Sequence, residues 1–122
     1  MITLAVVLLV LLQLKHWFVD FVNQTNEEVA SKGIYGDGPG IEHSAKHGIG
    51  TLIAVVAVVG FPYIAYAAVL AFADFVLHYH IDWIKMNYGN RDIRTPAFWN
   101  HLGLDQMAHQ LTYIGIVYLV FA

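Results

Sequence analysis

A His or Asp followed four residues later by another His or Asp recurs along the whole chain. The set is His16 with Asp20, His43 with His47, the triple Asp74, His78 and Asp82, and Asp105 with His109. A spacing of four brings side chains onto one face of an α-helix, one above the other. Each pair also adjoins a long apolar run, which places these ionisable groups in or near a bilayer. There they are expensive to bury and are as a rule functional or tightly paired. The reading that meets both demands is a small bundle of membrane helices whose inner faces build a metal site.

Composition narrows the field. With 58% hydrophobic and 12% charged residues, against about a quarter charged in ordinary globular chains, the chain reads as a membrane protein. Its 122 residues make a single membrane domain, 1–122. A net charge of -3 gives no case for nucleic-acid binding, and the lack of cysteine removes thiolate metal sites and cysteine nucleophiles. The first residues lack the basic region and small-residue cleavage site of a secretory signal, so they are expected to stay as a helix.

The apolar and polar stretches predict an all-α, integral membrane four-helix bundle with helices at about 2–24, 41–60, 63–86 and 101–121. Residues 25–40 and 87–100, rich in glycine, proline and polar side chains, read as loops. Residues 48–73 could be one kinked span or a hairpin turning at Gly60-Phe61-Pro62. A hairpin puts Lys15, Lys32, Lys46, Lys85, Arg91 and Arg94 on one side of the membrane, whereas a single span divides them equally. The hairpin is preferred, giving an up-down-up-down order with every His and Asp pair at one end. Each helix then joins an apolar half of about 11 to 14 residues to a polar half, near the roughly 20 that a span requires. The positive-inside rule turns the polar end to the cytoplasm and both termini outward.

Four polar stripes would face inward: Gln13, His16, Asp20 and Gln24; His43, His47 and Thr51; Asp74, His78, Asp82 and Lys85; His101, Asp105, His109 and Thr112. Their imidazole and carboxylate groups suit zinc, manganese or non-haem iron, and Asp beside His supplies the carboxylate partner that a metal-bound imidazole usually has. Zinc is the first expectation, with iron or manganese as alternatives. His80 points away from the His78 face. Lys85, Arg91 and Arg94 could meet an anionic headgroup, although basic residues at this end are also the ordinary topology signal.

The blocks Leu14-Lys15-His16-Trp17-Phe18-Val19-Asp20-Phe21-Val22-Asn23-Gln24-Thr25, His43-Ser44-Ala45-Lys46-His47-Gly48, His80-Ile81-Asp82-Trp83-Ile84-Lys85 and Asp105-Gln106-Met107-Ala108-His109-Gln110 run through the whole chain. They resemble a small bacterial and phage membrane-protein family catalogued as domain of unknown function 3307. The resemblance implies a bacterial inner-membrane protein and strengthens His16, Asp20, His43, His47, Asp82, Asp105 and His109 as site residues. It also lends weight to His80, against the helical-face argument for His78. In style the chain is similar to membrane-bound metal-dependent hydrolases, a fold-level analogy.

The expectation is therefore a membrane metalloprotein that hydrolyses a lipid or phosphate ester at the cytoplasmic face. His16, His43, His47, His78, Asp82, Asp105 and His109 are the candidate ligands. Asp20 and Asp74 are the candidate proton acceptors, and Lys85 and Arg94 the candidate substrate-binding residues. The lipid bilayer is the expected partner, and a homo-oligomer is compatible with the pattern. Three rivals stay open: a di-iron oxidoreductase acting on lipid chains, a proton- or metal-conducting protein, and a purely structural polar network. Haem held by two histidines is disfavoured by the accompanying aspartates.

Overall fold

The computed structural model describes residues 2–122, and every regular element among them is helical. The first helix, α1 (Ile2–Trp17), has a leucine- and valine-rich sequence with no glycine or proline to interrupt it. It runs on into a π turn, Phe18–Val22, closed by the Asn23 N–H donating to the Phe18 carbonyl at 2.8 Å. Such wide turns redirect side chains and are frequent at functional sites. This one carries Asp20.

A short helix, α2 (Asn26–Ser31), interrupts the stretch that the sequence reads as loop. Its cause is a capping box. The Glu28 N–H donates to the Thr25 hydroxyl at 3.1 Å, and the Thr25 N–H donates to the Glu28 carboxylate at 2.9 Å. Next come α3 (Gly38–Val59), a single 3-10 turn at Phe61–Tyr63, α4 (Ile64–Tyr88) and α5 (Pro96–Phe121). The last helix starts five residues before the expected 101. Thr95 caps it by accepting from the Phe98 N–H at 3.2 Å, and Pro96 takes the first turn, where its missing N–H costs nothing.

The chain reverses at Gly60, whose φ of 96° suits glycine. Beyond it, α3 and α4 share the most extensive helix contact in the molecule. Their register is antiparallel. Thr51 meets Asp74, His47 meets His78 and His43 meets Asp82, three rungs each about one turn apart. α1 packs against α3 and α5, α4 against α5, and α2 against α3.

Burial is segregated along these helices. Leu8, Leu12, Ala54, Val55, Ala67, Leu70, Tyr113 and Ile116 form one core cluster. The remaining buried positions are mostly charged or polar, among them Asp20, His43, His47, Asp74, His78, Asp82, Asp105 and His109. Large apolar side chains instead face outward, including Val10, Ile53, Val69, Phe72, Leu111 and Ile114. Two helical stretches, Ile2–Val22 and Phe61–Tyr88, are long and apolar enough to cross a membrane.

Candidate metal centre

Each of the four His/Asp pairs meets its own partner, as a spacing of four requires. His16 Nε2 lies 3.2 Å from Asp20 Oδ2, His78 Nε2 3.2 Å from Asp82 Oδ2, and His109 Nε2 3.4 Å from Asp105 Oδ1. The His43 and His47 rings are 4.9 Å apart between centroids. Packing then brings the pairs together around two carboxylates.

Asp20, redirected by the π turn, sits among histidines of α3 and α4. Its Oδ1 is 2.8 Å from His47 Nε2, 3.0 Å from His43 Nε2 and 3.7 Å from His78 Nε2. Asp82 is the second hub. Its Oδ2 is 3.2 Å from His78 Nε2 and 3.6 Å from His43 Nε2, while its Oδ1 accepts from His109 Nε2 at 3.2 Å. Asp20, His43, Asp82 and His78 therefore alternate around a ring with sides of 3.0, 3.6, 3.2 and 3.7 Å. All four residues are buried.

Two groupings bring their ligand atoms within range of a common ion: Asp20, His43, His47 and His78, and His78, Asp82 and His109. Hydrogen bonding sorts them further. Lys15 Nζ stands 3.1 Å from His47 Nδ1 while donating to Asp74 Oδ2 at 3.0 Å. An ammonium at Nδ1 puts the His47 proton on Nε2, which donates to Asp20. His109 Nε2 likewise donates to Asp82. His43 Nε2, His78 Nε2 and Asp82 Oδ2 have no hydrogen-bond partner although all are buried. Orphaned atoms of that kind demand an explanation. A tetrahedral ion with ligands at about 2.0–2.1 Å needs every pair of ligand atoms about 3.3 Å apart, and Asp20, His43, His47 and His78 are a set of four whose atoms all lie within 4.8 Å of one another. The buried cluster could hold a metal ion.

Around the ring lies a layer of partners that the spacing pattern did not reveal. Glu28 Oε2 faces His43 Nδ1 at 3.6 Å and pairs with Lys46 through its other oxygen. Burial works against the Glu28 carboxylate, but Lys46 and the Thr25 N–H together hold it below the ordinary glutamate range. Lys32, just past α2, places Nζ 3.4 Å from Asp82 Oδ2. Lys15 also donates to the Tyr113 hydroxyl at 3.1 Å, and that hydroxyl is hydrogen-bonded to His16 Nδ1 at 2.8 Å. Space for the buried Lys15 stem comes from Gly50, where any Cβ would collide with it.

Other expected site residues lie farther out. His16 Nε2 is held by Gln106 Oε1 at 2.8 Å as well as by Asp20. Asp74 accepts from Lys15 and the Thr51 hydroxyl, one turn beyond the ring. Asp105 pairs with Lys85 at 3.3 Å on the wall of a cleft of about 360 Å³ between α4 and α5, otherwise lined mainly by apolar side chains. Arg94 is 86% exposed on its side chain and is paired with Asp92, away from the cluster. His78 is fully buried, whereas His80 faces Tyr35, its Nε2 2.9 Å from that hydroxyl. His101, in the second turn of α5, accepts from the Asn90 N–H at 2.8 Å and so ties down the preceding loop.

No curated protein and no solved structure matches the chain. One family, described as "Protein of unknown function (DUF3307)", matches residues 7–122, which include every residue of the ring and of the layer around it. The chain belongs to that family.

Proposed function

We propose that the protein is an integral membrane metalloenzyme, a four-helix up-down-up-down bundle with its metal centre near the cytoplasmic face of a bacterial inner membrane. The carrying observation is the buried group of Asp20, His43, His47 and His78, whose ligand atoms lie within 4.8 Å of one another while His43 Nε2 and His78 Nε2 have no hydrogen-bond partner. Outward-facing apolar side chains beside an inward-facing charged cluster support the membrane reading. The basic residues gather at the end of the helices that bears the ring, which supports the cytoplasmic placement and leaves both termini outside.

Zinc suits a site of imidazoles with a carboxylate, and iron and manganese are the metals to measure beside it. Held by three of these groups, with a fourth position left open, an ion there would polarise an ester or phosphoryl oxygen and bring the pKa of a bound water to about 7. The chain's own residues would do the remainder. Glu28 and Lys15 orient His43 and His47, Asp20 and Asp82 hold the ring together, and Asp105 at the cleft is placed to exchange protons through His109. The apolar cleft beside Lys85 and Asp105 favours a lipid or phosphate ester as substrate. Conduction across the membrane is disfavoured, since the buried side chains past Lys15 and Asp74 belong to the apolar core cluster.

Elemental analysis of the purified protein, beside a His43→Ala, His78→Ala double variant, tests the reading. Stoichiometric metal in the wild type, absent from the variant, is expected, together with metal-dependent hydrolysis of a phospholipid in micelles. A wild-type protein that takes up no metal after add-back would sink the proposal. Metal without hydrolysis would leave a metal centre but remove the hydrolase.

A further inference from the structure

The cleft between α4 and α5 has two unlike ends. The helices run antiparallel here, with His109 opposite Asp82 and Asp105 opposite Lys85. From Ile81 and Ala108 the walls pass Ile84 and Leu104, all apolar, and reach Lys85 and His101 where α4 stops. At about 360 Å³ the cleft falls in the range of roughly 300–1,000 Å³ usual for ligand sites. A second cavity, of about 170 Å³, shares Lys85 and His101 and continues to Asn90, Arg91 and Phe98 at the connecting loop.

Hydrogen-bond donors converge where the two cavities meet. The Asn90 N–H donates to His101 Nδ1 at 2.8 Å, so the neutral ring carries its proton on Nε2, free to be given to a ligand. Lys85 spends one of its three hydrogens on Asp105 and is 25% exposed on its side chain. Asp105, the one carboxylate in these walls, is already taken up by Lys85 and the Gln106 amide. Arg91 donates to the Met86 carbonyl and meets no carboxylate among the described residues. Arg94, by contrast, is committed to Asp92 and lines neither cavity.

Walls that were apolar throughout would accept any greasy chain. Cations confined to the loop end ask for an amphiphile, and they fix its direction. Its charged head belongs at the loop, where basic residues gather, and its tail points along α4 and α5 toward the middle of the bilayer. That is the order of a phospholipid in its own leaflet. We infer that the joined cavities bind an anionic phospholipid, with one acyl chain between α4 and α5 and its phosphodiester on Lys85, Arg91 and His101 Nε2–H. The inference rests on the membrane reading above and names the lipid class that the cleft takes.

The test uses the full-length protein in phosphatidylcholine vesicles, with its metal content measured first. Phosphatidylglycerol and phosphatidylcholine, each spin-labelled near the end of one acyl chain, are compared by electron paramagnetic resonance. Wild type is expected to hold a motionally restricted lipid fraction that favours phosphatidylglycerol by about tenfold, as two cations beside an anionic headgroup imply. Lys85→Met would strand the buried Asp105, so two other variants carry the test. Arg91→Gln should cut the preference about fivefold, the share of one cation. Ala108→Phe should fill the cleft and release the restricted fraction with every charge in place. Arg94→Ala should leave the preference within about twofold, which separates the cleft from the diffuse attraction of a basic surface. Equal association of the two lipids with wild type, or equal losses in Arg91→Gln and Arg94→Ala, would overturn the inference alone, whether or not the protein holds metal. Selective binding by a protein that takes up no metal would support the inference and remove the metalloenzyme reading. A protein that does not enter the vesicles would overturn both.

Discussion

The imidazole rings of His47 and His78 lie face to face, with centroids 3.5 Å apart and planes 25° from parallel. On the other side of His78 the ring of His109 stacks at 4.0 Å and 24°. One ring from each of α3, α4 and α5 thus forms a pile, and its Nε2 edges converge on Asp20 and Asp82. The pile explains how three helices fix the site with little help from loops.

Removing the middle ring should undo both neighbours at once. His78→Ala is expected to abolish metal binding and to destabilise the fold by about 2–5 kcal/mol, the range for large-to-small changes in a packed interior. Thermal melts and metal content, read on the same preparation in detergent, check both parts. His80→Ala, on the face toward Tyr35, should keep its metal.

Lys15 and Asp74 are both buried and joined at 3.0 Å. Breaking such a pair from one side strands the other charge, so Lys15→Met is expected to cost about 3–5 kcal/mol. The double variant Lys15→Met, Asp74→Leu should regain most of that loss. A double-mutant cycle on denaturation midpoints measures the coupling, and additive losses would show the two side chains to be independent.

Glu28 carries the pH dependence of the cover formed by α2. Its carboxylate is held below the ordinary value of 4.5 in the folded protein, so the folded state binds that proton less readily than the unfolded chain. The stabilisation is therefore complete above about pH 4.5 and is lost as the pH falls through the lower, folded value. Amide exchange across 26–31 should quicken in that acid range, and Glu28→Gln should flatten the dependence.

Thr25→Ala removes one half of the capping box and should cost about 1 kcal/mol. The loss is expected to concentrate in α2, visible as faster amide exchange there with little change in α3 or α4. Arg94→Ala, at an exposed pair, should shift stability by less than about 0.5 kcal/mol and leave metal content untouched.

The inward-facing His and Asp residues were legible in the sequence because a four-residue period and adjoining apolar runs leave helices few other orientations. The turn at Gly60-Phe61-Pro62 was legible from charge, since only a reversal collects the basic residues at one end. The surrounding lysines were not. Whether a long side chain folds inward depends on space that another helix leaves, as Gly50 does for Lys15. Two signals could have been used. A lysine embedded beside an apolar run, as Lys15 is, is a functional candidate by default. Thr25-Asn26-Glu27-Glu28 is a capping-box sequence, and it would have predicted the start of α2, though not its packing over the site. The π turn at Asp20 leaves no mark in residue type, and only packing reveals it.

The apolar plug of Leu8, Leu12, Val55, Leu70 and Ile116 lies directly behind Lys15, Asp74 and Tyr113. On that side the charged cluster is sealed by packed aliphatic carbon. If the proposed hydrolysis takes place there, substrate and product would have to share the opposite, polar end, and product would inhibit by obstruction.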